Sequence, residues 1–187
     1  MSMTGWIVLG IVVLIVLFVI ITYNRLVSLR QVVGQAWSDI SVQLKQRHDL
    51  VPNLVETVKG YASHERGTLE AVVQARNAAV SASGPAAQAQ AENMLSGALR
   101  QLFALAEAYP DLKANQNFQQ LQAELSDIEN KLAAARRFFN NSVSEYNAGI
   151  QRFPAALFAG MFGFTQKQFF DVGEERAALN QAPQVKF

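Results

Sequence analysis

The run from Trp6 to Ile21 contains no charged side chain, and it limits what this chain can be more than any other feature. Extended by Met3, Thr4 and Gly5 before it and Thr22 and Tyr23 after it, the stretch offers about twenty uncharged residues. At 1.5 Å per residue that is roughly 30 Å, the thickness of a bilayer's hydrocarbon core. Val and Ile are mediocre helix formers in water, but in lipid the backbone must close its own hydrogen bonds, so a helix is dictated. Trp6 and Tyr23 stand at the two ends, where amphipathic rings favour the headgroup level. The anchor is therefore expected to run through Trp6, Ile7, Val8, Leu9, Gly10, Ile11, Leu14, Leu17, Phe18, Ile21 and Tyr23.

A cleaved signal peptide would need a basic start and a small-residue cleavage site. Met1 to Gly5 carries no Lys or Arg, and the run is followed by Tyr23-Asn24-Arg25-Leu26 rather than Ala-x-Ala. The expectation is an uncleaved, single-pass anchor. Arg25 and Arg30, with Lys45 and Arg47 further on, follow the span, and no basic side chain precedes it. The positive-inside rule then puts the C-terminal domain in the cytoplasm, with a periplasmic domain as the alternative.

Net charge is +1 with a pI of about 8.0, and no basic cluster suggests a nucleic-acid partner. The chain has no cysteine, which excludes disulfides, thiolate catalysis and thiolate metal sites.

After the anchor, Leu26, Leu29, Val33, Ala36, Trp37, Ile40, Leu44, Val51, Leu54, Val55, Val58 and Tyr61 step by three or four, apart from a gap after Leu44. This is the stripe of an amphipathic helix continuous with the span. Pro52 lacks an N–H and predicts a kink or break near Leu50. Ser63 is a candidate cap for a second helix with its stripe at Leu69, Val72, Val73, Ala79 and Val80. Ser81 to Pro85 breaks the pattern. A third helix follows over 86–108, with Ala91, Met94, Leu95, Ala98, Leu99, Leu102, Leu105 and Ala106 on its stripe. Tyr109-Pro110-Asp111 ends it.

A fourth helix opens at Asn115 to Phe118 and runs to Pro154, with Phe118, Leu121, Leu125, Ile128, Leu132, Ala135, Phe138, Phe139, Val143, Tyr146, Ile150 and Phe153 on one face. No segment alternates as a strand would. The fold class is all-α: an N-terminal transmembrane helix continuing into an antiparallel bundle of about four helices, the first and last long. The organisation is a tip and anchor over 1–24, a bundle domain over 25–157 and a Phe-rich tail over 158–187. From Phe153 to Phe170 the chain carries Phe153, Phe158, Phe162, Phe164, Phe169 and Phe170. Burying each would contribute roughly 1.5–3 kcal/mol. The segment reads either as a cap folded back on the bundle or as a patch for a partner, a second protomer or the membrane surface. Glu174 to Phe187 reads as a frayed end.

Reactive constellations are missing. The two histidines are His48 and His64. His64-Glu65 opens like a zinc-peptidase motif, but Thr68 stands where the second His is due. Lys45 and Tyr61 stand three residues before the histidines, so the Glu-x-x-His pairs of a di-iron bundle are absent. The acids Glu124, Asp127 and Glu129 lie among Lys131, Arg136 and Arg137 as helix-surface charge. No serine sits in a nucleophile elbow. No catalytic residue, metal ligand, cofactor or small-molecule substrate is expected.

Several blocks resemble the LemA family: Tyr23-Asn24 with Leu26-Val27 and Leu29-Arg30; Ala36-Trp37 through Ile40, Val42 to Lys45, Arg47 and Asp49 to Val55; Tyr61-Ala62 with His64-Glu65; Tyr109 to Asn115; Tyr146-Asn147; Phe153-Pro154; Gly163-Phe164; and Phe169-Phe170. The resemblance covers essentially the whole chain. It implies a bacterial single-pass membrane protein with a helical-bundle domain and no established catalytic residue. Family members include a protein of magnetosome membranes, which implies a role in membrane organisation.

The polar members of these blocks, Arg47, His48, Asp49, Asn53, Glu56, Asp111, Asn115, Asn117 and Asn147, either close buried hydrogen bonds where helix ends meet or form a recognition surface. With Phe158, Phe162, Phe164, Phe169 and Phe170 they make up the candidate interaction surface. The function expected is a non-enzymatic scaffold or adaptor at the bacterial inner membrane, self-associating or holding another membrane protein. The alternative is a regulatory partner of a membrane protease or envelope-stress system.

Overall fold

The computed structural model describes residues 3–170, and no strand occurs among them. The expected frayed end over 174–187 lies outside the described residues. The helices are α1 (Met3–Lys59), α2 (Arg66–Ser81), α3 (Pro85–Ala106), α4 (Pro110–Lys113) and α5 (Gln116–Gln151), followed by a 3-10 turn at Ala155–Leu157. The all-helical class holds, with long first and last helices. One short helix is additional: Pro110, read from sequence as a terminator, instead stands at the first position of α4. A fixed φ and a missing N–H suit a helix start as well as a helix end.

Pro52 does not break α1, which is helical from Met3 to Lys59. A proline there frees the carbonyl four residues back, that of His48, from its helical donor. Arg76 of α2 takes the place of the missing N–H: its Nε donates to the His48 carbonyl at 3.2 Å. The freed carbonyl has a donor, and the helix continues.

The chain divides into two compact units, one combining residues 3–38 with 138–167 and the other residues 39–137 with 168–170. In the first, α1 and α5 run antiparallel, since Leu29 lies against Gly149 while the Trp37 ring packs at a tilt against Phe139 with ring centroids 5.4 Å apart. Its core is apolar: Leu26, Val33, Ala36, Phe139, Val143, Tyr146 and Ile150 are buried. Burial raises the Tyr146 phenol above the ordinary tyrosine pKa. The chain beyond the 3-10 turn is held by a paired clasp. Asn147 Nδ2 donates to the Lys167 carbonyl at 2.9 Å, and the Lys167 N–H donates to Asn147 Oδ1 at 2.8 Å.

The second unit gathers Val51, Leu54 and Val58 of α1, Leu69 and Val72 of α2, Leu95, Leu99 and Leu102 of α3, Leu112 of α4 and Phe118 of α5 into one core. Its helix starts are set locally. Gly84, at φ +85°, turns the chain into Pro85 at the head of α3. Asn115 Oδ1 accepts the Phe118 N–H at 3.0 Å, capping α5, and Asn115 Nδ2 donates to the Tyr61 hydroxyl at 2.9 Å. The expected cap at Ser63 is not used; Glu65 stands at the N-cap of α2, with no side-chain cap bond. Glu65 instead accepts from the Tyr109 hydroxyl at 3.1 Å, which raises the Tyr109 pKa.

Candidate functional site: a charge network inside the helical bundle

Between Leu44 and Val51 the inward stripe of α1 passes through positions 47 and 48, filled by Arg47 and His48. Both are buried. A guanidinium in a bundle interior needs a charged partner and full hydrogen bonding. Glu92 of α3 supplies the charge and is itself only 1% exposed. Arg47 Nη1 donates to Glu92 Oε2 at 3.0 Å, and Nη2 donates to Ser96 Oγ at 2.8 Å and contacts Glu129 Oε2 at 3.1 Å. His48 Nε2 lies 2.6 Å from Glu92 Oε1. Against an ionised carboxylate that contact requires the proton on Nε2. Gln88 Nε2 donates to the same Oε1 at 3.0 Å and to the Ala79 carbonyl at 2.9 Å. The Glu92 carboxylate thus accepts from Arg47, His48 and Gln88.

Three helices build this network. Adjacent residues of α1 bring in the cation and the imidazole, and Gln88, Glu92 and Ser96 are four residues apart on one face of α3. Glu129 comes from α5, half-exposed, with Arg136 Nη2 at 3.9 Å from its other oxygen. The Arg47 side opens on a cavity of about 370 Å³, lined among others by Ser96, Arg100, Phe103, Gln122 and Glu129. A second hollow of about 650 Å³ lies between α1 and α2, bounded by Val55, Lys59, Arg66, Leu69 and Val73.

The sequence-derived candidates separate into three groups. Arg47 and His48 lie inside the protein, in the middle of a helix rather than at a helix end. Asp49, Asn53, Glu56, Asp111 and Asn117 are exposed. Asp49 accepts from Lys45 Nζ at 2.7 Å, and that bond holds its carboxyl below the ordinary aspartate pKa. Glu56 pairs with Lys59 at 3.3 Å, and the Asn53 carbonyl accepts from Thr57 Oγ1 at 2.8 Å. Asn115 and Asn147 are the cap and the clasp described above. Of the phenylalanines, Phe164 and Phe170 are buried and belong to no exposed surface, Phe158 is half-buried, and Phe162 and Phe169 are exposed.

The sequence reading missed Gln88, Glu92, Ser96 and Glu129. The buried face of α3 includes Gln88, Glu92, Leu95, Leu99, Leu102 and Ala106. The expected stripe agrees at Ala91, Leu95, Leu99, Leu102 and Ala106, with Ala98 and Leu105 partly buried, but it takes in Met94, which is 58% exposed, and leaves out Gln88 and Glu92. The four-three spacing of Gln88, Glu92, Leu95, Leu99 and Leu102 carried the signal.

Among the described residues no cluster of three or more His, Asp or Glu side chains is arranged to hold a metal ion. The sequence model of the LemA family matches residues 36–187. The chain belongs to the LemA family. Every residue of the charge network lies within the LemA match, which begins inside α1, and the apolar span precedes it. The chain is 25% identical over 174 residues to the magnetosome protein MamQ of Magnetospirillum gryphiswaldense, covering 79% of this chain and 64% of that protein. It is 24% identical, with the same coverage, to magnetosome protein MamQ 2 of Paramagnetospirillum magneticum. It is 28% identical over 134 residues to protein LemA of Metamycoplasma hominis, covering 70% of this chain and 60% of that one. The chain therefore spans just under two thirds of the length of these relatives.

Proposed function

We propose that this chain is a non-enzymatic, membrane-anchored scaffold or adaptor of the bacterial inner membrane, with its helical domain on the cytoplasmic side. The observation that carries this reading is the apolar stretch of α1. It is long and apolar enough to cross a membrane, and none of its apolar window is buried inside the protein. A core helix of a water-soluble protein would be covered by its neighbours. Here Trp6, Leu14, Phe18 and Ile21 are all at least half exposed, and lipid is the environment that removes such a surface from water.

Two further observations support the scaffold role. Charge in the bundle interior is locked by mutual pairing. Glu92, the most deeply buried acid among the described residues, has its oxygens committed to three donors, an arrangement that suits a rigid structural core. Arg25 and Arg30 follow the span and favour a cytoplasmic domain. The relatives named for the magnetosome fit a part in organising a membrane structure, with a second copy of the chain or another membrane protein as the partner.

The test is fractionation and crosslinking of the full chain in cells. The expected result is retention in membranes after an alkaline wash, with crosslinked species containing a second copy or a membrane protein. Release into the soluble fraction would overturn the anchor. Monomer alone after crosslinking would overturn the scaffold.

A further inference from the structure

The 3-10 turn at Ala155–Leu157 and the residues around it leave an apolar surface that the anchor alone does not explain. Phe153 is 81% exposed, Leu157 71%, Met161 85% and Phe162 49%. The turn is built to hold them out. Gly163 adopts φ +71°, and the Phe164 N–H returns to the Ala159 carbonyl at 2.9 Å, so Phe164 buries while Met161 and Phe162 face outward.

Its position relative to the span is fixed by ring contacts. The Tyr23 ring lies 5.2 Å from Phe162 and 5.5 Å from Phe164, edge to face in both cases. Tyr23 is two residues beyond Ile21, about 3 Å along the helix axis from the end of the apolar run. That is the depth at which a tyrosine ring meets lipid headgroups. Phe162 therefore sits at the border of the hydrocarbon layer, with Met161 beside it in the chain and Phe158, next to Leu157, 5.9 Å away ring to ring. Charge agrees with this placement. The unit that contains the turn carries exposed Arg25, Arg30, Arg152 and Lys167 against a single acid, Glu145. The Arg30 guanidinium lies 5.2 Å over the Phe164 ring.

We propose that the turn from Phe153 to Phe164 is a second membrane contact, seated in the headgroup and upper acyl region of an anionic bilayer beside the α1 span. The inference rests on the anchor reading and deepens it. Phe153, Leu157, Met161 and Phe162 enter the apolar boundary, and the four basic residues meet lipid phosphates. Lipid is favoured over a second copy of the chain because these side chains stand at the depth of the leaflet itself.

The chain has no cysteine, so single labels are free of background. Full-length Met161→Cys and Leu157→Cys, each carrying a nitroxide, are reconstituted in vesicles rich in phosphatidylglycerol. Accessibility to oxygen and to a water-soluble nickel chelate is then measured. Ile15→Cys marks the span, and Ser38→Cys marks water, since Ser38 is exposed and about 22 Å along α1 from Tyr23. The expected result is nickel accessibility at positions 157 and 161 several-fold below that at 38, with oxygen accessibility above it. Nickel accessibility equal to that at 38, with position 15 protected, would overturn the second contact and leave the anchor intact. Shielding from both reagents would mean burial against a second copy and would also overturn it. A nickel-accessible position 15 would remove the anchor and the proposal together.

Discussion

Helix α1 contributes to both compact units, and its inward stripe changes character between them. In the unit of residues 3–38 and 138–167 the stripe is Leu26, Val33 and Ala36, facing aromatic and aliphatic side chains of α5. In the other unit the same periodicity places Arg47 and His48 inside. An apolar interface tolerates exchange of similar volumes. A buried ion pair tolerates neither partner alone, because removing one strands the other. The difference shows that a core stripe is defined by geometry. Chemistry follows only when a facing helix supplies the complement.

The sharpest way to break that contrast is Glu92→Ala. It leaves His48 without its carboxylate and Arg47 with only the half-exposed Glu129, and is expected to destabilise the bundle by about 3 kcal/mol. Urea denaturation of the detergent-solubilised chain, followed by circular dichroism, reads this directly. The triple change Arg47→Met, His48→Leu, Glu92→Leu should recover most of the loss, since an apolar set of similar volume removes the desolvation cost. A triple variant as unstable as Glu92→Ala would show that the network is needed for more than its own neutrality.

In the apolar unit the corresponding probe is Gly149→Val. A Cβ at position 149 already stands 3.0 Å from Leu29 Cδ1 and 3.5 Å from Leu26 Cδ2. Overpacking there is expected to cost about 1–3 kcal/mol in the same denaturation experiment. Asn115→Ala removes the cap of α5 and should cost about 1 kcal/mol. Hydrogen exchange should report it as faster exchange in the first turn of α5, with little change elsewhere.

The smallest effect is a difference in alkaline behaviour. Tyr146 in one unit and Tyr109 in the other both have raised pKa values, the first by burial and the second by donating to Glu65. Both phenols hold their proton longer in the folded state than in the unfolded one. Their contribution is complete below the ordinary tyrosine pKa near 10 and is lost as pH rises through the higher folded value. Stability measured from pH 9 to 12 should fall less steeply in Tyr146→Phe and in Tyr109→Phe than in the parent chain. Tyr109→Phe should also lose a little stability at neutral pH, where its hydrogen bond is missing.

Much of this was legible in the residues. The uncharged run, the long first and last helices and the break at Ser81 to Pro85 follow from periodicity and turn chemistry. Arg47 and His48 stood out only as polar members of the blocks that resemble the LemA family; the structure shows that they fill the stripe between Leu44 and Val51. Glu92 did not stand out, because a stripe traced through apolar residues passes over an ionisable one even where it lies beside Ala91 and Leu95 on the buried face. Only the arrival of a cation from α1 makes a buried Glu92 favourable, and that is long-range information. Phe138 and Phe153 fit the expected fourth-helix stripe by spacing yet are 51% and 81% exposed, and Phe153 lies beyond the end of α5. Spacing fixes a face but not how far along it the neighbours extend. The continuity of α1 across Pro52 was hidden for the same reason, since Arg76 lies on another helix.

That proline makes the backbone of one rod a fastening point for the next. An ordinary helix spends every interior carbonyl on itself and offers its neighbours only side chains. Here one oxygen is released at a fixed height, and a single guanidinium from α2 keys into it, which sets the sliding position of α2 along α1. Pro52→Ala would return that oxygen to its own helix and leave Arg76 with no notch to enter, so a substitution that improves the helix should loosen the pairing.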